Sequence, residues 1–236
     1  MTTDQRLADK YNSEFTDQNI IQKIKQLTVN HPGKVIFTTS FGYEDQVITD
    51  MIFKNDLPVK VITLDTGRMF EETYKVFRST LERYEKPIEV YFPPAEKVEK
   101  LLNEKGPFSF YESIENRKEC CYIRKVIPLK RALKGNEIWI TGLRASQSEN
   151  RSNLHEFEWD EGNQKVKFNP LINWSLDEVK DYVNKNNVPY NVLHDKGFVS
   201  IGCEPCTRAI KPGEDFRAGR WWWEQSSGKE CGLHES

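Results

Sequence analysis

The sequence predicts an α/β fold, a largely parallel sheet with helices on both faces, followed by an irregular, mobile C-terminal tail. Three observations predict it. Short β-branched and aromatic runs alternate with amphipathic stretches of helical length from about residue 35 to 141, the pattern of strand–helix–strand units. The joints between them are short and polar. From about Gly197 the periodicity ends, broken by Pro205, Pro212 and several glycines, so irregular structure is expected there.

Taken in order, residues 14–29 place Phe15, Ile20, Ile21, Ile24 and Leu27 at helical spacing, which predicts an amphipathic helix. His31-Pro32-Gly33 stops it. Residues 35–39 form a buried strand. A polar turn, Ser40 to Asp45, leads into a helix over about 45–55, for which Asp45 is the natural N-cap. Residues 59–64 form a second strand ending in Asp65-Thr66-Gly67-Arg68, before a helix over about 70–84. Residues 88–92 form a third strand, closed by Pro93-Pro94. Helices follow over about 95–104 and 119–134. Residues 137–141 form a fourth strand, and the loop after it carries Arg144 and Arg151. Residues 155–168 suit a hairpin turning at 161–163. Ser175, with Glu178 three positions on, reads as the start of a helix to about Asn186. In such sheets ligands bind beyond the carboxyl ends of the strands, so the turns after the first two strands belong to one candidate site.

The chain has 236 residues, with no repeat, low-complexity tract or domain boundary. The reading is one domain over 1–236, with a core over about 30–200 and a functional C-terminal segment over about 201–236. A formal net charge of −2 counts against a general nucleic-acid binder and leaves room for a local basic pocket. No apolar run approaches the ~20 residues of a membrane span. The N-terminus is polar, without an apolar signal region. The expected address is the cytoplasm, where thiols stay reduced and paired cysteines serve as metal ligands or catalytic groups.

The chain has five cysteines. Cys203-x-x-Cys206 lets one turn present two thiolates to one centre, which fits zinc or a redox dithiol as well as a cluster. Cys120-Cys121 discriminates more. Adjacent helical residues diverge by ~100°, which is awkward for one small tetrahedral ion and suits the separate irons of an iron–sulfur cluster. Two small buried hydrophobes are the alternative, against which stands the polar stretch Asn116-Arg117-Lys118-Glu119 just before them. Cys231 remains as a free thiol between glycines, near Lys229 and His234. It is either an incidental tail cysteine or a nucleophile.

The Ser40–Asp45 turn, at a strand end and a helix start, suits an anion, although an ordinary turn has the same sequence character. Basic residues recur beside each of these features: Arg124 and Lys125 after the tandem cysteines, Arg217 and Arg220 after Cys206, Arg144 and Arg151 in the fourth-strand loop. The pattern suits a compact, multiply anionic small molecule. Trp221-Trp222-Trp223 read as packing and anchoring residues rather than a base-stacking platform. His155 and His194 read as structural.

These residues resemble the assimilatory adenylyl-sulfate and phosphoadenylyl-sulfate reductases from about Val35 to His234. The resemblance is carried by Ser-Phe-Gly-Tyr-Glu-Asp (40–45), Leu-Asp-Thr-Gly-Arg (64–68), Cys-Cys-x-x-Arg-Lys (120–125), Thr-Gly-Leu-Arg (141–144), Cys-x-x-Cys (203–206), Arg-x-x-Arg (217–220), the tryptophan run and Glu-Cys-Gly-Leu-His (230–234). It implies an adenine nucleotide alpha hydrolase-like fold related to the PP-loop ATP pyrophosphatases. Their phosphate loop reads Ser-Gly-Gly-x-Asp-Ser. Here Phe41 replaces the first glycine and the terminal serine is missing, which counts against ATP hydrolysis and agrees with a phosphosulfate ligand.

The resemblance further implies an oxidoreductase that makes sulfite and AMP from adenylyl sulfate, with thioredoxin or a similar dithiol as reductant and a Cys231 S-sulfonate between. It implies a 4Fe–4S cluster on Cys120, Cys121, Cys203 and Cys206. Arg124, Lys125, Arg217 and Arg220 are expected on the phosphosulfate. Ser40, Phe41, Gly42, Asp65, Arg68, Gly142 and Arg144 complete the expected substrate contacts. All four paired cysteines are present, which favours adenylyl sulfate over its 3′-phosphorylated form. A strict phosphoadenylyl-sulfate reductase, a dual-specificity enzyme, an ATP pyrophosphatase and a non-enzymatic iron–sulfur or zinc sensor are the alternatives. A homo-oligomer is allowed; nucleic acid and membrane are not expected.

Overall fold

The computed structural model describes residues 3–147 and 154–224. Cys231, Arg151 and the part of the expected mobile tail from residue 225 lie outside the described residues.

Six strands form one sheet: β1 (Val35–Thr39), β2 (Lys60–Leu64), β3 (Glu89–Tyr91), β4 (Ile138–Ile140), β5 (Phe157–Asp160) and β6 (Lys165–Phe168). Their order is β3-β2-β1-β4-β6-β5. All neighbours are parallel except the β5–β6 hairpin, which adds an antiparallel edge. The apolar runs explain both faces. Val35, Phe37, Val61, Ile140 and Phe168 point into one core, while Ile36, Ile62 and Trp139 point into another across the sheet. A strand buried on both sides must be apolar at every position, as residues 35–37 are. Each such side chain contributes roughly 1.5–3 kcal/mol by burial.

The larger core is closed by α1 (Thr3–Glu14), α2 (Ile20–Asn30), α3 (Tyr43–Lys54), α4 (Glu71–Tyr84) and α8 (Leu176–Asn186). Between β3 and β4 run α5 (Ala95–Lys105), α6 (Ile114–Cys121) and α7 (Ile127–Leu133), the last of which covers the opposite face through Leu129, Ala132 and Leu133. The Ser175–Glu178 capping box starts α8, where the sequence places it.

Three local expectations are corrected. The single helix over 14–29 is two helices, with Phe15 in the turn between them. The first is polar overall but presents Ala8 and Tyr11, followed by Phe15, to the core. It also covers the sheet edge: the Asn12 side chain donates to the Phe157 carbonyl and accepts from the Phe157 amide, at 2.8 and 3.1 Å, which blunts an exposed strand. Next, α3 starts at Tyr43 with Gly42 as its N-cap, because Asp45 turns back to Ser40 instead of capping. Finally, the helix expected over 119–134 is interrupted by a π-helical turn, Tyr122–Val126. Pro128 follows directly. It has no N–H to give the carbonyl four residues back, so the regular ladder cannot run through this point.

Candidate active site

The sheet order reverses between β1 and β4: β1 leads outward to β2 and β3, and β4 leads the other way. At such a switch point the loops diverge and leave a crevice. A cleft of about 230 Å³ lies there, walled by Thr39, Ser40 and Gly42 after β1 and by Thr141, Gly142 and Leu143 after β4. Its far wall comes from the irregular C-terminal part, including Gly202, Cys203, Arg217 and Arg220, with Lys125 from the π-turn.

The Ser40–Asp45 turn is built by its own side chains. Phe41 holds φ at 61°, a left-handed conformation favoured by glycine. Its ring is fully buried and stacks on Phe77 at 4.9 Å, which offsets the strain. The turn thus holds a left-handed residue with phenylalanine in that position. Asp45 accepts from the Ser40 amide and hydroxyl, both at 2.6 Å. Burial pushes its carboxyl up to about 6, against the opposing pull of the Ser40 hydrogen bonds. A Cβ at Gly142 would collide with the Asp45 carboxylate, so the β4 loop can approach the β1 loop only as glycine.

The second feature is a group of thiols. Cys120, Cys203 and Cys206 are buried in one apolar cluster with Leu101, Phe110, Ile123 and Trp221, and Cys121 packs against it. None of the four is in a disulfide. Among the described residues, no three His, Cys, Asp or Glu side chains close to the spacing of a single metal ion. Burial raises the Cys120 thiol. Burial, Cys203 and Cys121 push Cys206 up to about 12. Burial also pushes Cys203 up, but the Lys125 charge, the Thr66 hydroxyl, Arg220 and Arg124 outweigh it, so its thiol falls below the ordinary value. Cys203 Sγ and Thr66 Oγ1 are hydrogen-bonded at 3.3 Å.

Three N–H donors near these sulfurs, Arg124 Nε, Arg220 Nε and Trp221 Nε1, are buried without a protein acceptor. Buried donors are rarely left unmatched. Four thiols in one cluster beside unmatched donors fit a bound group that carries acceptor atoms of its own.

The pocket and the thiol cluster share a wall. Lys125, Cys203 and Arg220 line the pocket, and the charges of Lys125 and Arg220 act on Cys203 and Cys206. The Arg220 guanidinium lies against Gly202, where any Cβ would strike it.

Of the residues singled out in the sequence, Ser40, Gly42, Lys125, Gly142, Arg217 and Arg220 line the pocket. Five others are placed behind it. Phe41 is under the loop. Asp65 accepts from the Gly67 amide and the Tyr74 hydroxyl, shaping the turn after β2. Arg68 donates to the Pro107 carbonyl at 2.6 Å and lies 4.9 Å from the Phe110 ring centre. Arg124 donates to the Thr66 carbonyl at 2.6 Å. Arg144 is fully buried and bonds Glu44 at 2.7 Å and Ser146. Sequence reasoning missed Thr66, which joins Cys203, Arg68 and Arg124; its signal was its place inside residues 64–68. His194 has a structural part, stacking on Tyr43 at 4.1 Å and donating from Nδ1 to the Phe198 carbonyl at 2.7 Å. It also lines the pocket. His155 is exposed.

A mostly parallel sheet with its pocket at the β1/β4 switch point, walled by the turns after β1 and β4, defines an α/β protein whose site lies at the strand ends. Solved structures agree on the fold: an FMN adenylyltransferase from Candida glabrata superposes with a TM-score of 0.53 at 15% identity, over 89% of this chain and 76% of that one. The chain belongs to the phosphoadenosine phosphosulfate reductase domain family, whose match covers residues 34–209. An adenosine 5'-phosphosulfate reductase from Agrobacterium fabrum is 48% identical over 86% of this chain and 78% of its own length. One from Neisseria meningitidis serogroup B is 46% identical over 92% and 89%. A crystal structure of phosphoadenylyl-sulfate reductase from Candida auris, as a phosphate complex, matches with a TM-score of 0.73 at 32% identity, over 89% of this chain and 99% of that one.

Proposed function

We propose that the protein reduces adenylyl sulfate to sulfite and AMP, as an oxidoreductase of sulfate assimilation. The observation carrying this reading is that Lys125, Arg217 and Arg220 meet on the pocket wall shared with the thiols. A phosphosulfate there would have its negative charge balanced without reorganisation. The names of the family relatives agree.

In the proposed chemistry the Cys231 thiolate attacks the sulfur of bound adenylyl sulfate. The bond from sulfur to the bridging phosphate oxygen breaks, and AMP leaves with that electron pair. The product on the enzyme is a Cys231 S-sulfonate. A dithiol protein such as thioredoxin then attacks the Cys231 sulfur, expelling sulfite. Its second thiol resolves the mixed disulfide, restoring the Cys231 thiolate and supplying both electrons. Cys231 lies seven positions after Glu224, and seven residues reach at most about 25 Å. Ser40, Gly42 and Gly142 hold the nucleotide. Arg124 and Arg68 brace the wall from behind, Arg144 and Phe41 brace the loops, and Asp65 shapes the turn beside them.

Cys120, Cys121, Cys203 and Cys206 would hold a 4Fe–4S cluster, and the unmatched N–H groups of Arg124, Arg220 and Trp221 would be available as donors to it. When bound there, it would supply a fixed charge to the wall that carries Lys125. Reduced thiols on this scale suit the cytoplasm, and no helix among the described residues is long and apolar enough to cross a membrane. The whole chain is read as one domain.

The test is anaerobic protein assayed for sulfite from adenylyl sulfate with thioredoxin, with iron and sulfide measured on the same sample. Sulfite formation that Cys231→Ser abolishes while iron is retained is the expected result. No sulfite from adenylyl sulfate or its 3′-phosphorylated form would overturn the function, and iron-free active protein would overturn the cluster. The Candida auris neighbour makes the 3′-phosphorylated substrate the second reading, which the ratio of kcat/KM on the two nucleotides decides.

A further inference from the structure

A buried ion pair between the tandem-cysteine helix and the end of the described chain has no part in the chemistry above. Arg117 on α6 and Glu224 are each 3% exposed at the side chain. Arg117 Nε donates to Glu224 Oε1 at 2.8 Å and Nη2 to Oε2 at 3.0 Å, a two-pronged fork that fixes orientation as well as distance. Neither residue lines the pocket.

The pair is joined to the pocket through one ring. The Arg117 guanidinium lies 4.6 Å from the Trp221 ring centre, Arg220 lies 4.8 Å from it and Arg217 5.7 Å. Trp221 is itself 1% exposed and holds φ at 42°, a left-handed conformation that bulky residues avoid unless their surroundings enforce it. Its amide donates to the Cys206 carbonyl at 3.2 Å, and its carbonyl accepts from the Glu224 amide at 2.9 Å. The ring is therefore tied to the thiol cluster through its backbone and to α6 through Arg117 and Glu224. The two pocket arginines rest on it.

A buried ion pair adds little net stability, since desolvation offsets its attraction; selecting one arrangement is its better-supported use. We propose that the Arg117–Glu224 pair is a positioning element for the anion-binding wall. It holds Trp221 in its strained turn and, through that ring, sets Arg217 and Arg220 over the pocket. This rests on the adenylyl-sulfate reading, and a parent enzyme that makes no sulfite would fail that reading first.

Two variants test it in the full chain: Glu224→Gln, which weakens the fork, and Arg117→Lys, which keeps the charge but loses the planar, forked group. With adenylyl sulfate as varied substrate, KM is expected to rise about tenfold in each, with kcat within about threefold. The inhibition constant of adenosine, which has no anionic group for the wall, is expected to stay within about twofold. A folded variant with unchanged KM overturns the proposal. So does a parallel rise in the adenosine constant, which would mean general loosening of the site. Should both single variants misfold, the Arg117→Met/Glu224→Met pair provides a folded test, because apolar replacement of a buried ion pair is often neutral. It should show the same rise in KM, and parent-like KM there also overturns the proposal.

Discussion

Asp45 accepts both the amide and the hydroxyl of Ser40 while enclosed in protein. Burial holds its carboxyl at about 6, above the ordinary 3.8. The native state therefore binds the proton more tightly than the unfolded chain, and stability must fall as pH rises between about 4 and 6. The full effect of this shift is about 3 kcal/mol. Asp45→Asn cannot titrate, so subtracting its pH profile from that of the parent, by denaturant unfolding, isolates the group. A difference that stays flat from pH 4 to 7 would contradict the burial argument. The sequence marked Asp45 as a helix cap. It could not show that the β4 loop, reduced to Gly142 at the contact, would press against the carboxylate and leave Ser40 as its bonding partner.

Between α6 and α7, the π-turn determines where Arg124 and Lys125 point. Arg124 reaches back to the Thr66 carbonyl, while Lys125 faces the pocket. Adjacent side chains on a helix diverge by ~100° or somewhat less, so Arg124 and Lys125 serve two walls, and the π-turn before Pro128 sets which walls they reach. Pro128→Ala restores the missing N–H, and a regular α-helical turn is expected to rotate Lys125 off the wall. KM for adenylyl sulfate should rise at least fivefold, with little change in the thermal midpoint. An unaltered KM would show that the proline does not set this geometry. Periodicity revealed a helix here, but one side-chain pattern fits both helical pitches. The local ladder depends on a hydrogen bond the proline cannot make.

Across the whole molecule, the thiol cluster is a packing unit apart from the two cores on the faces of the sheet. It gathers α5, α6, the Cys203–Cys206 turn and Trp221. Cys203→Ser/Cys206→Ser is accordingly expected to abolish activity and iron binding while leaving far-UV circular dichroism near that of the parent. Amide exchange should quicken over about 106–124 and 197–224 and stay slow in β1, β2 and β4. Equal loss of protection in those strands would show that the cluster is part of the sheet's own stability.

The sequence by itself determined the strands, most of the helices, the switch-point loops and the family, because these depend on local periodicity and on short motifs. Doubly apolar runs such as residues 35–37 leave few alternatives to a central parallel strand. The polar first helix was the exception: its buried face is only a few residues wide and becomes visible against β5. Only the tertiary structure decided which charged residues face the pocket. Arg124, Arg144, Arg217 and Arg220 are alike in sequence, yet the first two bond internal partners at Thr66 and Glu44 and the last two line the cleft. An arginine's role depends on which acceptors the fold brings within reach, and those acceptors lie far away along the chain. The same holds for Arg117 and Glu224, more than a hundred positions apart, whose pairing no local pattern could reveal.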